Sequence, residues 1–204
     1  GKGHALEFGL QALRAEPPGV VVFVDADCQL HPGSLETLVH QCVTTDRPAQ
    51  ALDLMHACPG AGLKARIGEF AWAVKNHARP MGAMRMGWPC QLMGTGMAIP
   101  WRLLGSRSLA TGDIVEDVKL GLDLASEGAA PRFCPDALVT SWFPTGSAGQ
   151  AAQRSRWEQG HLGTIAKNAP GLIWQALRKG NAELGATVLD LCVPPLAWLA
   201  MMLT

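Results

Sequence analysis

The chain carries little charge for its length, and that absence excludes one class of partner. Only 17% of its 204 residues are charged, and the formal net charge is +0. Proteins that bind nucleic acid need a basic face to contact the phosphate backbone. This composition offers no broad basic face, so nucleic acid is not expected among the partners.

Paired cysteines and a phosphate-binding loop are also missing. The six cysteines form no CxxC pair, and no cysteine–histidine spacing matches those of zinc sites. Because secreted proteins of this size more often carry a disulfide framework, the isolated cysteines indicate a reducing compartment. Lys2 lies between two glycines, but the upstream glycine and the following Ser or Thr of a P-loop are lacking.

One long apolar run lies near the end of the sequence. Residues 184–204 hold a single charge, Asp190, and are about as long as the roughly 20 residues that a membrane span needs. Arg178 and Lys179 precede the run, and positive residues beside a span tend to stay in the cytoplasm. The run predicts the start of a C-terminal transmembrane helix that follows a cytoplasmic domain. Asp190 and a proline pair leave a buried helix and an interfacial helix as alternatives.

The rest of the chain alternates helical and extended patterns. A helical period over residues 2–15 stops at a Pro-Pro-Gly turn, and the valine-rich run 20–24 is typical of a strand covered on both faces. Together they predict one α/β domain over residues 1–180, with a mostly parallel sheet and flanking helices. Further helices are predicted at 34–43, 63–77, 114–126 and 149–169, and further strands at 51–56, 91–99 and 137–142.

Two aspartates follow the first predicted strand. Ligands of open α/β sheets bind beyond the carboxyl ends of the strands, which is where Asp25 and Asp27 lie. Two carboxylates so close repel each other unless a cation or protons neutralise them, and a hard divalent metal with phosphate co-ligands does this well. The pair predicts a metal and diphosphate site, with a solvated acidic turn as the alternative.

A second acidic pair lies in the predicted helix 114–126. Glu116 and Asp117 supply a candidate general base, the group that would take a proton from an attacking hydroxyl. Carboxylates near a helix start also stabilise the helix itself, so a structural role is the alternative.

A third group lies in the predicted helix 149–169. Gln153, Arg156 and Trp157 share one helix face because they stand at positions i, i+3 and i+4. An arginine fork suits a diphosphate, a glutamine can bond sugar hydroxyls, and an indole can cover the apolar face of a sugar ring. The alternative is an amphipathic helix with Trp157 in the core.

These groups occur in the order typical of one enzyme family. The chain resembles the family 2 glycosyltransferases of the GT-A fold, in the branch of the cellulose, chitin and hyaluronan synthases. Asp25-Ala26-Asp27 matches the D-x-D motif, Glu116-Asp117 matches the ED motif, and residues 153–157 match the Q-x-x-R-W motif. The start Gly1-Lys2-Gly3 resembles the helix start that precedes the metal strand. The match covers about residues 1–165.

The resemblance implies an inverting hexosyltransferase that moves a sugar from a UDP-sugar to a glycan or lipid acceptor. It also implies a multi-pass protein of the inner (plasma) membrane, with a cytoplasmic catalytic domain that serves polysaccharide or glycolipid synthesis. Asp25 and Asp27 would hold Mg²⁺ or Mn²⁺ against the donor diphosphate, and Asp117, beside Glu116, would be the base. The residues implied to contact donor or acceptor are Asp25, Lys2, Gly94, Thr95, Gly96, Gln153, Arg156 and Trp157.

Two features depart from the family pattern. The family's first strand would precede Gly1, so the sequence is expected to be a fragment that binds donor poorly. Val115 stands where the polysaccharide synthases often have threonine, which makes single-sugar transfer an alternative to long-chain synthesis. Two other functions remain open: a haloacid-dehalogenase-type phosphatase, whose later G-D-x-x-x-D spacing the segment 112–117 fits, and an inactive membrane-bound scaffold.

Overall fold

A five-stranded sheet with helices on both faces organises the protein. The computed structural model describes residues 2–105, 107–109, 116–144, 163 and 165–193. The strands are β1 (Val20–Phe23), β2 (Gln29–Leu30), β3 (Ala49–His56), β4 (Met97–Pro100) and β5 (Arg132–Trp142). The helices are α1 (Lys2–Leu13), α2 (Ser34–Thr45), α3 (Leu63–Ala73), α4 (Arg79–Arg85), α5 (Trp101–Leu104), α6 (Glu116–Ser126), α7 (residues 165–179) and α8 (Ala182–Leu191).

The strand order is β1-β4-β3-β5-β2, and only the β3–β5 pair is parallel among the described strands. The predicted α/β class is confirmed, but the prediction of a mostly parallel sheet is wrong. Residues 91–96, predicted as the first part of a strand, form a loop with positive φ at Gly94 and Gly96. The chain leaves this loop in the reverse direction, so β4 runs antiparallel to both β1 and β3.

Each face of the sheet packs against its own helices. On one face, Leu38 and Cys42 of α2 pack on the short side chains Ala49, Ala51 and Ala98, which let the helix approach closely. On the other face, α1, α5 and α6 supply an aliphatic cluster. Side chains of a strand alternate between faces, so β4 contributes to both. The members of the second cluster from helices and β4 are Leu10, Leu103, Leu104, Leu120, Leu124, Met97 and Ile99.

The helical region predicted at 63–77 is longer and less regular than expected. A π-helical turn, Val74–Ala78, joins α3 to α4, and the combined helical segment extends to Arg85. π-helical turns are rare and occur often at functional sites because they displace side chains from regular helical positions. This turn carries Lys75 and the buried Asn76.

Helix α8 packs into the domain through its apolar face. Leu184, Val188 and Leu191 are fully buried in a cluster with Leu122 and Ala125 of α6. These α8 residues belong to the apolar run in which a membrane segment was predicted to begin. Within the described part of the chain, no helix has the length and hydropathy of a membrane span. Residues 194–204 lie outside that part, so the transmembrane helix and the boundary between 1–180 and 184–204 remain predictions.

Asp190, the single charge of the apolar run, is paired inside the protein. Its Oδ1 accepts a hydrogen bond from Arg79 Nη2 at 2.6 Å, and its Oδ2 accepts one from Gln91 Nε2 at 2.7 Å. Arg79 also donates to the Asp190 carbonyl oxygen at 2.7 Å. These bonds compensate the cost of placing a carboxylate beside apolar side chains. They also join the end of α8 to the loop that leads to Gly94.

Candidate active site

The loop after β1 brings two carboxylates and a thiol together. The backbone N–H of Cys28 donates to the Asp25 carbonyl oxygen at 3.0 Å, which closes a turn around Asp27. One ligand atom each from Asp25, Asp27 and Cys28 lies within 4.8 Å of the others. Burial raises the pKa of the Cys28 thiol, and the charge of Asp27 raises it further. The two carboxylates are thus the better ligands for a hard divalent cation such as Mg²⁺ or Mn²⁺.

Lys2, at the start of α1, connects this loop to a second segment of the site. Its Nζ lies 2.5 Å from Asp25 Oδ1 and donates to the Gly94 carbonyl oxygen at 3.0 Å. The ammonium group offsets the repulsion between Asp25 and Asp27. Both Lys2 and Asp25 remain partly exposed, so an anionic ligand could reach them.

The segment of Gly94, Thr95 and Gly96 passes close to the acidic loop. Thr95 Oγ1 accepts a hydrogen bond from the Asp25 backbone N–H at 3.1 Å. Gly94 has φ +86°, and a Cβ atom there would lie 3.0 Å from Asp117 Oδ2 and 3.5 Å from Lys2 Nζ. At Gly96, with φ +61°, a Cβ would lie 2.8 Å from Val139 Cγ2. Glycine is required at both positions, by conformation and by space.

Gln50 holds this segment, and the sequence analysis did not identify it. Its side chain is fully buried: Nε2 donates to the Thr95 carbonyl oxygen at 2.9 Å, and Oε1 accepts from the Met93 backbone N–H at 2.8 Å. A glutamine between the apolar neighbours Ala49 and Ala51 was the available signal, because a buried amide needs hydrogen-bond partners.

Asp117 lies in the first turn of α6, with its carboxylate against Gly94. Burial raises the pKa of Asp117, while the Val118 backbone N–H and the charges of Lys75 and Lys2 oppose that rise. Glu116 lines a different, shallow cavity together with Arg107, Ser108 and Lys119. Neighbouring residues of a helix do not face the same way. Asp117 is therefore the member of the acidic pair that faces Lys2 and the loop after β1.

We expect Gly94→Ala to reduce turnover beyond its effect on stability. The added methyl group would displace the Asp117 carboxylate, and the positive φ would cost about 1–3 kcal/mol in the free energy of unfolding. Gly128→Ala is the matched control, because Gly128 has φ +83° and no heavy atom within 4 Å of an added Cβ. Urea unfolding should show a loss for Gly94→Ala at least as large as that for Gly128→Ala, and nucleotide release per folded protein should fall further for Gly94→Ala. Equal release would contradict the proposed contact.

Asp53 of β3 is a buried carboxylate that the sequence analysis missed. It is 2% exposed, and its Oδ2 accepts a hydrogen bond from Asn76 Nδ2 at 3.1 Å. Among the described residues, neither Asp53 Oδ1 nor Asn76 Oδ1 has a hydrogen-bond partner. Burial raises the pKa of Asp53 to about 6; the charge of Lys75 lowers it and that of Asp25 raises it. A carboxylate between the apolar residues Leu52 and Leu54 was the available signal in the sequence.

Asp53→Asn should stabilise the metal-free protein at neutral pH. Because the folded-state pKa of about 6 exceeds the ordinary aspartate pKa of 3.8, Asp53 costs stability as the pH rises from about 3.8 to about 6. The shift corresponds to roughly 3 kcal/mol at most. An asparagine at position 53 can still accept the hydrogen bond from Asn76. Its amide group also supplies an N–H donor at a place where Asp53 Oδ1 and Asn76 Oδ1 have no hydrogen-bond partner among the described residues. Urea unfolding in EDTA from pH 4 to 7.5 should show this gain, with the exposed Asp136→Asn as control. Lower stability of Asp53→Asn at pH 7.5 would contradict this account.

The structure brings most of the predicted site residues into one region. Lys2 contacts Asp25 and Gly94, while Thr95 contacts Asp25 and Gly94 adjoins Asp117. Glu116 is directed elsewhere. The third predicted group, Gln153, Arg156 and Trp157, lies outside the described residues, so its contribution remains a prediction.

A comparison with protein families identifies the family of this chain. The family model described as "Glycosyltransferase like family 2" matches residues 1–160 of the 204. The chain belongs to this family. The search of curated proteins finds no match.

Family membership gives the site its chemical context. Membership in a glycosyltransferase family implies a nucleotide-sugar donor and an acceptor. Enzymes of the GT-A fold commonly use divalent metals, and the loop with Asp25 and Asp27 offers a possible metal-binding group. Membership also favours sugar transfer over the phosphatase alternative.

Proposed function

We propose that this glycosyltransferase is an inverting, metal-dependent hexosyltransferase that uses a UDP-sugar donor and a glycan or lipid acceptor. Its place would be polysaccharide or glycolipid synthesis at the cytoplasmic face of the inner (plasma) membrane. The observation that carries the proposal is the convergence of Asp25, Lys2, Gly94 and Asp117, which come from four separate parts of the chain. A candidate metal loop and a candidate base thereby face the same region.

The donor side would be formed by the loop after β1 and the start of α1. A divalent cation held by Asp25 and Asp27 would neutralise the negative charge that develops on the diphosphate leaving group. Lys2 presents an ammonium group at the same place, bonded to Asp25 and to the Gly94 carbonyl oxygen. Arg156 would add a bidentate contact to the diphosphate.

The acceptor side would be served by Asp117. Its carboxylate would take the proton of an acceptor hydroxyl as that oxygen bonds to the anomeric carbon of the donor sugar. The bond from the anomeric carbon to the diphosphate oxygen breaks, and its electron pair leaves with the nucleotide. Attack from the face opposite the leaving group inverts the anomeric carbon.

The proposed membrane location is supported by the basic and apolar side chains of α7. Arg178 and Lys179 end α7 before the apolar run, and Trp174 and Leu177 of the same helix are exposed. Basic and apolar side chains on one helix are typical of segments at a lipid surface. We expect the full-length protein to fractionate with membranes.

The direct test is a nucleotide-release screen on the full-length membrane protein. UDP-sugars and GDP-sugars would each be supplied with Mn²⁺, Mg²⁺ or EDTA, and p-nitrophenyl phosphate would serve as a phosphatase substrate. Release from one nucleotide sugar that requires a divalent metal supports the proposal and names the donor. Phosphate release from p-nitrophenyl phosphate without nucleotide release would overturn it.

A further inference from the structure

The segment that leads to Gly94 is tied to α8 by a side-chain hydrogen bond. Gln91 Nε2 donates to Asp190 Oδ2 at 2.7 Å. Asp190 is itself held in place, because Arg79 Nη2 donates to its Oδ1 at 2.6 Å and to its carbonyl oxygen at 2.7 Å. Hydrogen bonds to an ionised acceptor are stronger than those between neutral groups. The carboxylate of α8 therefore gives Gln91 a fixed and strong partner.

Helix α6 meets the same segment at two places. A Cβ atom at Gly121 would lie 3.5 Å from Leu92 Cγ, and a Cβ atom at Gly94 would lie 3.0 Å from Asp117 Oδ2. Asp117 and Gly121 stand at positions i and i+4 of α6, so they share one face of the helix. The segment therefore runs along the face of α6 that carries the candidate base.

The sheet and the donor side hold the same stretch of backbone. Gln50 of β3 accepts from the Met93 backbone N–H at 2.8 Å and donates to the Thr95 carbonyl oxygen at 2.9 Å. Lys2 Nζ donates to the Gly94 carbonyl oxygen at 3.0 Å. The position of Gly94 is thus shared between the candidate base and the lysine of the donor side. Gln91 lies three residues upstream, so its bond to α8 fixes the entry to this stretch.

These contacts assign a role to two residues outside the motifs, and that role rests on the proposed base function of Asp117. We propose that Gln91 and Asp190 are positioning residues, whose hydrogen bond sets where the Gly94 backbone meets the Asp117 carboxylate. Neither side chain touches the sugar. They act through Gly94, which limits where the carboxylate stands when it accepts the proton of the acceptor hydroxyl. Helix α8 is then part of the framework of the active site.

Gln91→Met in the full-length protein removes this bond and leaves the pair of Arg79 and Asp190 intact. The assay uses the nucleotide sugar that supports release by the wild-type protein. We expect kcat to fall about 10-fold with KM for the donor within about twofold, since a displacement of about 1 Å can cost 10²-fold. The matched control is Gln41→Met, because Gln41 Nε2 donates to the Phe133 carbonyl oxygen at 3.0 Å and joins α2 to β5. The control should lose similar stability to urea and keep its kcat.

A compensating pair of substitutions tests the bond itself. Gln91→Glu places a carboxylate against that of Asp190, so kcat should fall at least as far as in Gln91→Met. Adding Asp190→Asn supplies an amide N–H that can donate to the new carboxylate, while its oxygen still accepts from Arg79. The double variant should regain most of the wild-type kcat. A general loss of stability would not be repaired by the second substitution.

Hydrogen–deuterium exchange gives a measurement that does not depend on turnover. The amides of residues 91–96 should exchange faster in Gln91→Met than in the wild-type protein or in Gln41→Met. Unchanged exchange there, or a kcat no lower than that of Gln41→Met, overturns the inference. If Gln91→Met does not fold, Gln91→Glu and the double variant are judged by the same two measurements. A wild-type protein that releases no nucleotide would instead refute the proposed function, and with it the role of Gln91 in catalysis.

Discussion

Replacing Asp117 with asparagine should reduce nucleotide release by about 10²–10⁴-fold, the usual contribution of a general base. The amide keeps the size of the side chain that lies against Gly94, but it cannot accept the acceptor's proton. Donor binding should persist, because Asp25, Asp27 and Lys2 are unchanged. Steady-state release and calorimetric binding of UDP with Mg²⁺ would separate the two effects.

Two further variants in α6 test whether the loss of turnover is specific to Asp117. Asp123→Asn removes a partly exposed carboxylate that pairs with Lys119 at 3.0 Å and should leave turnover unchanged. Glu116→Gln should have a smaller effect than Asp117→Asn, because Glu116 lines a different cavity. Substantial turnover in Asp117→Asn would show that Asp117 is not the base. A larger loss of turnover in Glu116→Gln than in Asp117→Asn would assign the role of base to Glu116.

Replacing Asp27 with alanine should weaken metal-dependent nucleotide binding strongly. Outer-shell partners of metal ligands already contribute about 10–100-fold to metal affinity, and a direct ligand should contribute at least as much. Asp27 is a cleaner choice than Asp25, since Asp25 also pairs with Lys2 and its backbone N–H bonds Thr95. Asp27 is exposed, so its loss should leave the free energy of unfolding nearly unchanged.

Calorimetry of UDP binding in Mg²⁺ and in EDTA would measure this effect. The wild-type protein should bind more tightly with Mg²⁺, and Asp27→Ala should lose that difference while its affinity in EDTA stays the same. The control is Asp136→Ala, an exposed aspartate in β5. Retention of the Mg²⁺ effect in Asp27→Ala would refute the metal role of the D-x-D pair.

Residues of the candidate site could be predicted from the sequence where the residues next to them mark their position. The Asp25 and Asp27 pair follows a valine-rich strand, so its position marks it, whereas the choice of Asp117 as the base came from the resemblance to the family 2 glycosyltransferases. Gln50 and Asp53 were missed because a polar residue between apolar neighbours in β3 signals burial but does not show which distant group it contacts. Their partners are contributed by other elements: Gln50 bonds the segment of Thr95, 45 residues away, and Asp53 bonds Asn76, 23 residues away.

The sequence by itself determined the family, the α/β class and the residues of the motifs. These properties follow from side-chain type and short-range periodicity, which act within a few turns of chain. The direction of β4, the separation of Asp117 from Glu116 and the pairing of Asp190 were decided only by the tertiary structure. Each depends on contacts between distant segments, such as the bond between Lys2 and Gly94 across 92 residues. These long-range contacts form because helices pack on both faces of the sheet, and no short stretch of the sequence predicts them.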